Sequence, residues 1–505
     1  MTIAIGRSVP GQRWIEGWLD SPRAVPILLL LFVAVWTLFQ TISYLPTSLH
    51  PDVVEVYGWG QHPAPGYYKH PPLGGMMAGA WFTLFPTSDW AAYLLAMTNA
   101  ALALFFVDLI TRRYLSGDKR LMVLLLLMLT PLYQFLSAKF ASNQTLLPTW
   151  PLAVYCFIRA YESRGVLWSL AAGACAALAM LGKYYSIFLV GGLVFAALAH
   201  PDRMRYLRSW SPWASIAAGF AVLAPHLVWL MQTGYQPFTY AYAVHGAQSR
   251  FGALLSVPGY LAGAVGYVAI AVAVYAVVAR PRPAEVFAAL WPRDPDRRLL
   301  AALLWAPLLL PAVAAPLLDV ELTSLWVMQA WFLLPLLLLM PETIAVTRDA
   351  TVKVAFGVAA LGLAALLISP VLAYVKHTQG AGQGRAYYSP LADEMTRHWH
   401  ALTPQPLKIV VGEQDYAMAA SFYAPDHPDA VPGFDFQASP WVTPARLERE
   451  GFAVICLDQN CAARAMQLAK DRPGARQEDV EVVRRFFGSA TAPARFIIVL
   501  APPRP

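Results

Sequence analysis

Charge is scarce in this chain. Asp, Glu, Lys and Arg make up 13% of its 505 residues, about half the roughly 25% usual in soluble domains, while 58% of the residues are hydrophobic. That balance excludes a solvated globular enzyme and a disordered polymer, and it points to a polytopic membrane protein. Cysteine is scarcer still. Four residues cannot staple a secreted scaffold, and Cys156 and Cys175 lie in apolar runs where a thiol is ordinarily inert. Also missing are a Walker-type glycine loop, a dinucleotide fingerprint, paired transporter halves, an internal repeat and a low-complexity tract, so nucleotide hydrolysis has no support. The net charge of +7 sits in short Lys and Arg clusters between apolar runs, which membrane topology explains and nucleic-acid binding does not. No small-residue cleavage site follows the first apolar run, which reads as a retained anchor.

What is present is a series of apolar stretches near the roughly 20 residues a spanning helix needs. They fall at about 25–45, 90–111, 121–139, 144–161, 166–182, 184–199, 212–231, 253–279, 299–318, 325–345 and 352–375, about eleven spans. Arg7, Arg13 and Arg23, beside Trp14 and Trp18, predict a cytoplasmic, interfacial N-terminus. The loops then assigned inside hold the cation clusters Arg112 to Arg120, Arg203 to Arg208 and Arg280 to Arg298, and the alternation is self-consistent. Pro71 to Pro86 is apolar but short and glycine-rich, and reads as one or two interfacial helices.

The chain divides into a membrane region, 1–375, and a C-terminal domain, 376–505, which an odd span count puts outside. There charge returns, with strand-like runs at Leu407 to Val411, Phe452 to Leu457 and Phe496 to Leu500 and helical patterns at Pro444 to Glu450 and Asp479 to Phe487. The expectation is a small α/β domain. Cys456 and Cys461, on the oxidising side, form a local bridge or remain two free thiols.

The chain's chemistry concentrates in His50 to Leu73, a polar, aromatic, proline-rich stretch between apolar segments. Asp52 and Glu55 are the first carboxylates after a long apolar run, with Lys69, His50, His62 and His70 around them. Ionisable groups at a membrane surface are costly without a task or a partner. Three other outward-facing places gather polar groups: the Lys139 to Asn143 turn, the Lys183 to Tyr185 turn, and the loop from Gln232 to Arg250. A carboxylate near a hydroxyl can act as general base, and Lys or Arg can neutralise a departing phosphate. Each has a plainer reading. The stretch also reads as a solvated connector, Lys69 and Lys183 as snorkelling lysines, His226 as a packed helix-end histidine, and the aromatic residues as an interfacial belt. His50-x-Asp52, and His62 with His70, offer ligand types but no metal-site spacing, so no obligatory metal is expected, while a divalent ion stays open.

The run Asp52-x-x-Glu55-x-Tyr57-x-Trp59-x-Gln61-His62, followed by Gly66-Tyr67-Tyr68-Lys69-His70-Pro71-Pro72-Leu73, resembles the signature of family 39 glycosyltransferases. These are bacterial relatives of the protein O-mannosyltransferases, and include the aminoarabinose transferase of lipid A and the rhizobial galacturonic acid transferases. The family typically reads Asp-Glu-Ala-Tyr-Tyr-Trp, then Gln-His, Gly-Tyr-Tyr and Pro-Pro-Leu. Aligned through Gln61-His62, its acidic base falls on Asp52, and its adjacent Glu on Val53, a departure that Glu55 does or does not make good. The likeness continues through Gly182-Lys183-Tyr184-Tyr185 and Pro225-His226-Leu227-Val228-Trp229, and Asn143 stands where many relatives carry a second Asp.

The resemblance, which covers about 25–250, implies a GT-C fold: a multi-helix membrane core, extracytoplasmic interfacial helices and a soluble domain on the same side. It implies an inverting transfer from a polyprenyl-phosphate sugar to an extracytoplasmic acceptor hydroxyl, on a glycolipid or another envelope component, at the bacterial inner membrane. Asp52, or failing it Glu55, would be the base. Lys69, Lys183 and Arg250 would hold the phosphate. Tyr57, Trp59, Tyr67 and Tyr68 would shape the sugar pocket, with His62, His70, Asn143, Tyr184, Tyr185 and His226 at matched positions. The competing classes are a lipid-linked sugar transporter, which would need charges along a path through the bundle, and a non-catalytic scaffold, which Val53 and Asn143 keep in view.

Overall fold

The computed structural model describes residues 21–379 and 384–504. Arg7, Arg13, Trp14 and Trp18 lie outside the described residues. From Ala24 onward the chain is a bundle of helices, and from Arg385 onward a mixed unit rests on one end of it.

Helix α1 (Ala24–Tyr44) leads into α2 (Pro51–Gln61), which forms inside the polar stretch for local reasons. The His50 ring accepts from the Asp52 amide, Pro51 occupies the first helical position, and Asp52 faces the positive end of the helix. A tight turn follows: the Tyr67 and His70 backbones exchange two hydrogen bonds, 3.0 and 3.2 Å. Then comes the short helix α3 (Leu73–Phe82). The expectation of interfacial helices over Pro71 to Pro86 thus becomes one helix of 10 residues.

Among the described residues, five helices are long and apolar enough to cross a membrane: Ala24–Tyr44, Asp89–Thr111, Ser211–Gln232, Pro295–Leu318 and Arg348–Gln379. Two bent pairs raise the number to as many as seven. The expected eleven is therefore not the number that length and composition support. The runs read as spans 121–139 and 253–279 are broken, by 64° at Pro131 and by 49° after Gly266. The run at 325–345 is a chain of 3-10 turns ending in Leu334–Leu339, and Val166–Gly182 has only 17 residues. Large apolar side chains such as Phe220, Val277 and Leu367 stand exposed on the bundle surface, as a lipid-facing belt requires.

The C-terminal unit is a five-stranded sheet of β1 (Ile409–Gly412), β2 (Asp429–Pro432), β3 (Phe452–Cys456), β4 (Arg476–Val482) and β5 (Ala494–Ala501). Its order is β2-β1-β3-β5-β4, parallel across β2-β1-β3 and antiparallel beyond. The expected helix over Asp479 to Phe487 is instead the end of β4 and a short ribbon. Pairing with β5 overrides the local pattern, and the charged side chains of β4 suit an edge strand. Cys456 and Cys461 are bridged.

Helix α2 is held from two sides. Val56 and Trp59 pack into the core of the bundle, while Val53, Val54 and Tyr57 join Leu391, Trp399, Phe422 and Phe496 of the C-terminal unit in a second core. The carboxylate-bearing helix is thereby fixed between the two bodies. The expected boundary at 375 falls inside Arg348–Gln379, the helix that carries the chain from one to the other.

Candidate active site

Asp52 and Glu55 are three residues apart on α2, which puts both carboxylates on one face. Their surroundings differ. Asp52 is 46% exposed, and its Oδ2 lies 2.6 Å from Lys139 Nζ. Burial pushes its carboxyl up, but Lys139, His50 and Lys69 outweigh that and hold it below the usual carboxylate range. Glu55 is 8% exposed, and its Oε1 accepts from Lys69 Nζ at 2.7 Å and from the Tyr68 hydroxyl at 3.1 Å. Burial drives its carboxyl up against the pull of Lys69. Burial pulls Lys69 down, and Glu55 more than offsets it, so Lys69 stays charged. The lysine also lies over the rings of Tyr68 and Tyr240, 5.1 and 5.4 Å from their centroids.

Lys183, in the turn after helix Val166–Gly182, donates to Asn143 Oδ1 at 2.5 Å and faces the Trp326 ring. Burial lowers it to about 7, and the charge of Asp52 acts in the other direction. The half-buried His70 ring is pushed down to about 3 by desolvation, with Lys183 and Lys69 nearby, and is neutral. The first loop, the Lys139 turn and the Lys183 turn therefore converge in one electrostatic cluster.

The loop before Lys69 is pinned from below. His226 Nδ1 donates to the Pro65 carbonyl at 2.7 Å, which leaves Nε2 to accept from the Tyr184 hydroxyl at 3.1 Å. Gly66 lies against Trp229 so closely that an added Cβ would meet the indole at 2.4 Å. Tyr184, His226 and Trp229 thus position the loop that carries Tyr68 and Lys69.

Other expected residues lie elsewhere. Tyr57 is buried edge-on between Phe82 and Phe422. Tyr67 stacks on Trp59 and donates to its carbonyl, so both shape the loop. Tyr185 is buried with its hydroxyl on Tyr260. None of these three tyrosines is a sugar platform in this arrangement. Arg250 is 77% exposed and faces Asp319 at 3.7 Å, outside the lysine cluster. His62 turns away from the lysines to the C-terminal unit, where it bonds Asp429 and stacks on Trp441. Lys139 belongs to no motif that marks it as a site residue, although it is the only basic residue between Arg120 and Arg159. For Asp429, Trp441 and Arg446 no spacing signal exists.

Comparison with known proteins fits this geometry. The dolichyl-phosphate-mannose-protein mannosyltransferase family matches residues 69–229, a stretch that begins at Lys69 and leaves Asp52 outside. The lipopolysaccharide core galacturonosyltransferase RgtA of Rhizobium johnstonii is 25% identical over 452 residues, covering 86% of this chain and 87% of that protein. Crystal structures of ArnT from Cupriavidus metallidurans superpose with a TM-score of 0.60 bound to undecaprenyl phosphate and 0.57 in the apo state. Each is 14% identical to this chain; the first covers 96% of it and the second 95%, and both match over 100% of ArnT. The fold is that of the ArnT structures. Within that fold, the family match and the relative make the chain similar to the family 39 glycosyltransferases.

Proposed function

We propose that this enzyme transfers a sugar from a polyprenyl-phosphate donor to an acceptor hydroxyl of the bacterial envelope, with inversion. The undecaprenyl phosphate held by ArnT and the lipopolysaccharide core acceptor of RgtA support that choice of substrates. The observation that carries the reading is the cluster itself: an ionised, solvent-reachable Asp52 within the field of Lys69, Lys139 and Lys183. Asp52 takes the acceptor's hydroxyl proton as the acceptor oxygen attacks the anomeric carbon. The bond from that carbon to the phosphate oxygen breaks, and polyprenyl phosphate leaves with the electron pair. Lys69 and Lys183 hold the negative charge that develops there. Glu55, bound to Lys69 and Tyr68, keeps that lysine in place.

The site faces the periplasm in this reading, together with the C-terminal unit, in keeping with the Cys456–Cys461 bridge. Charge neutralisation falls to lysines and not to an obligatory divalent ion, because Asp52 and Glu55 each already meet an ammonium group. The test is transfer of labelled sugar from membrane-extracted polyprenyl-phosphate donors to cellular glycolipid by purified enzyme, with and without chelator. Transfer at a rate unchanged within about twofold by chelator supports the reading. No transfer from any donor pool overturns it.

A further inference from the structure

Between α2 and the C-terminal unit lies a cavity of about 260 Å³. Glu55, Tyr68 and His62 line it from the first loop, and Asp429, Ser439 and Trp441 from the other side. Its size is below the ~300–1,000 Å³ of pockets for drug-sized ligands, and suits one sugar ring.

The lining has the chemistry for such a ring. The His62 imidazole lies flat on Trp441, with centroids 4.5 Å apart and 12° between planes. Its Nε2 donates to Asp429 Oδ1, and Asp429 Oδ2 accepts from Arg446 Nη1 at 2.7 Å. With Nε2 engaged, His62 Nδ1 is left to meet a hydroxyl. Glu55 Oε1 takes both Lys69 and Tyr68, which leaves Oε2 as an acceptor. The half-buried Trp441 side chain adds an aromatic surface to the wall, against which a sugar ring can pack. A phosphate does not fit, because Glu55 and Asp429 repel an anion and Arg446 is already engaged by Asp429 and Glu450. A lipid tail does not fit so polar a lining.

We infer that this cavity is the subsite for the sugar ring of the acceptor, the ring that presents the hydroxyl to be glycosylated. The inference rests on the transferase reading above and deepens it. Lys183 meets Asn143 and Trp326 of the bundle, whereas the cavity is lined from α2 and the C-terminal unit. Glu55 lies three residues from Asp52 on α2, so a ring in this cavity is lodged beside the helix that carries the base.

Two arms test this with the full-length enzyme in detergent. In the first, Trp441→Leu keeps an apolar side chain and removes the aromatic surface. The expected result is an acceptor KM raised about tenfold, with the donor KM within about twofold of wild type. A rise in the donor KM alone assigns the cavity to the donor sugar and overturns the proposal, and so does a variant in which neither KM moves. In the second arm, saturation-transfer NMR probes a panel of methyl pyranosides, with contact expected in the wild type and lost in Trp441→Leu. Absence of contact for every pyranoside overturns the subsite even if transfer proceeds. Sugar contact in a wild type that transfers nothing leaves the subsite standing and defeats the transferase reading.

Discussion

Lys139 Nζ stands 2.6 Å from Asp52 Oδ2, and the two residues come from different helical segments that only the fold brings together. Both side chains are more than a third exposed, so the pair stabilises the fold by no more than about 1 kcal/mol. Its effect lies in keeping Asp52 ionised. Asp52 can accept a proton only as the carboxylate, so activity falls as pH drops through its pKa. Lys139→Met removes the main influence that lowers this pKa, and the acid limb of kcat/KM moves to higher pH. An unmoved limb in a rate–pH profile would show that Lys139 does not tune Asp52.

Lys183 gives a dependence of opposite sign. Its pKa, lowered by burial to about 7, makes it cationic below neutrality and neutral above. The donor KM should therefore rise between pH 7 and pH 8.5, by up to about tenfold per unit for one ionisation. In Lys183→Arg the rise disappears, since a guanidinium keeps its charge throughout. A wild-type donor KM that is flat over this range contradicts the phosphate-holding role.

Glu55 and Lys69 form a buried pair, about 8% and 10% exposed. Glu55→Gln leaves the Lys69 charge buried without its carboxylate, at a cost of about 3–5 kcal/mol. Thermal unfolding in detergent should show a clear loss of Tm, whereas Asp52→Asn changes Tm little. Equal Tm values for the two variants would argue that the Glu55 pair does not hold the loop.

Much of this arrangement was legible in the sequence. Asp52, Glu55 and Lys69 are charged residues in an apolar chain, and scarcity alone singled them out. Lys183 and Asn143 were marked by interrupting apolar runs, and they do meet. Less legible was anything decided by a partner far along the chain. Asp479 to Phe487 carries a helical pattern locally and becomes strand and ribbon because β5 offers it a ladder. The aromatic residues of the first loop looked alike in sequence, yet Tyr57 and Tyr67 are buried supports while Tyr68 reaches Glu55. The runs at 121–139 and 253–279 read as single spans, since hydropathy does not report the breaks at Pro131 and after Gly266.

The support beneath the loop can be tested through Gly66. A methyl group there overlaps the Trp229 ring, and overpacking of this kind costs about 1–3 kcal/mol. Gly66→Ala should displace the loop, break the contact from His226 to Pro65 and reduce transfer, and Trp229→Leu in the same chain should restore part of it. Undiminished activity in Gly66→Ala would mean that the loop is not fixed by this contact.

The most direct measurement for the central claim compares wild type with Asp52→Asn, at equal amounts of folded protein, in transfer of labelled sugar from a polyprenyl-phosphate donor. The expected result is a fall in kcat of about a hundredfold or more, the contribution of a positioned general base, with donor binding little changed. Retention of kcat within about tenfold of wild type would contradict it, and would move the base to Glu55.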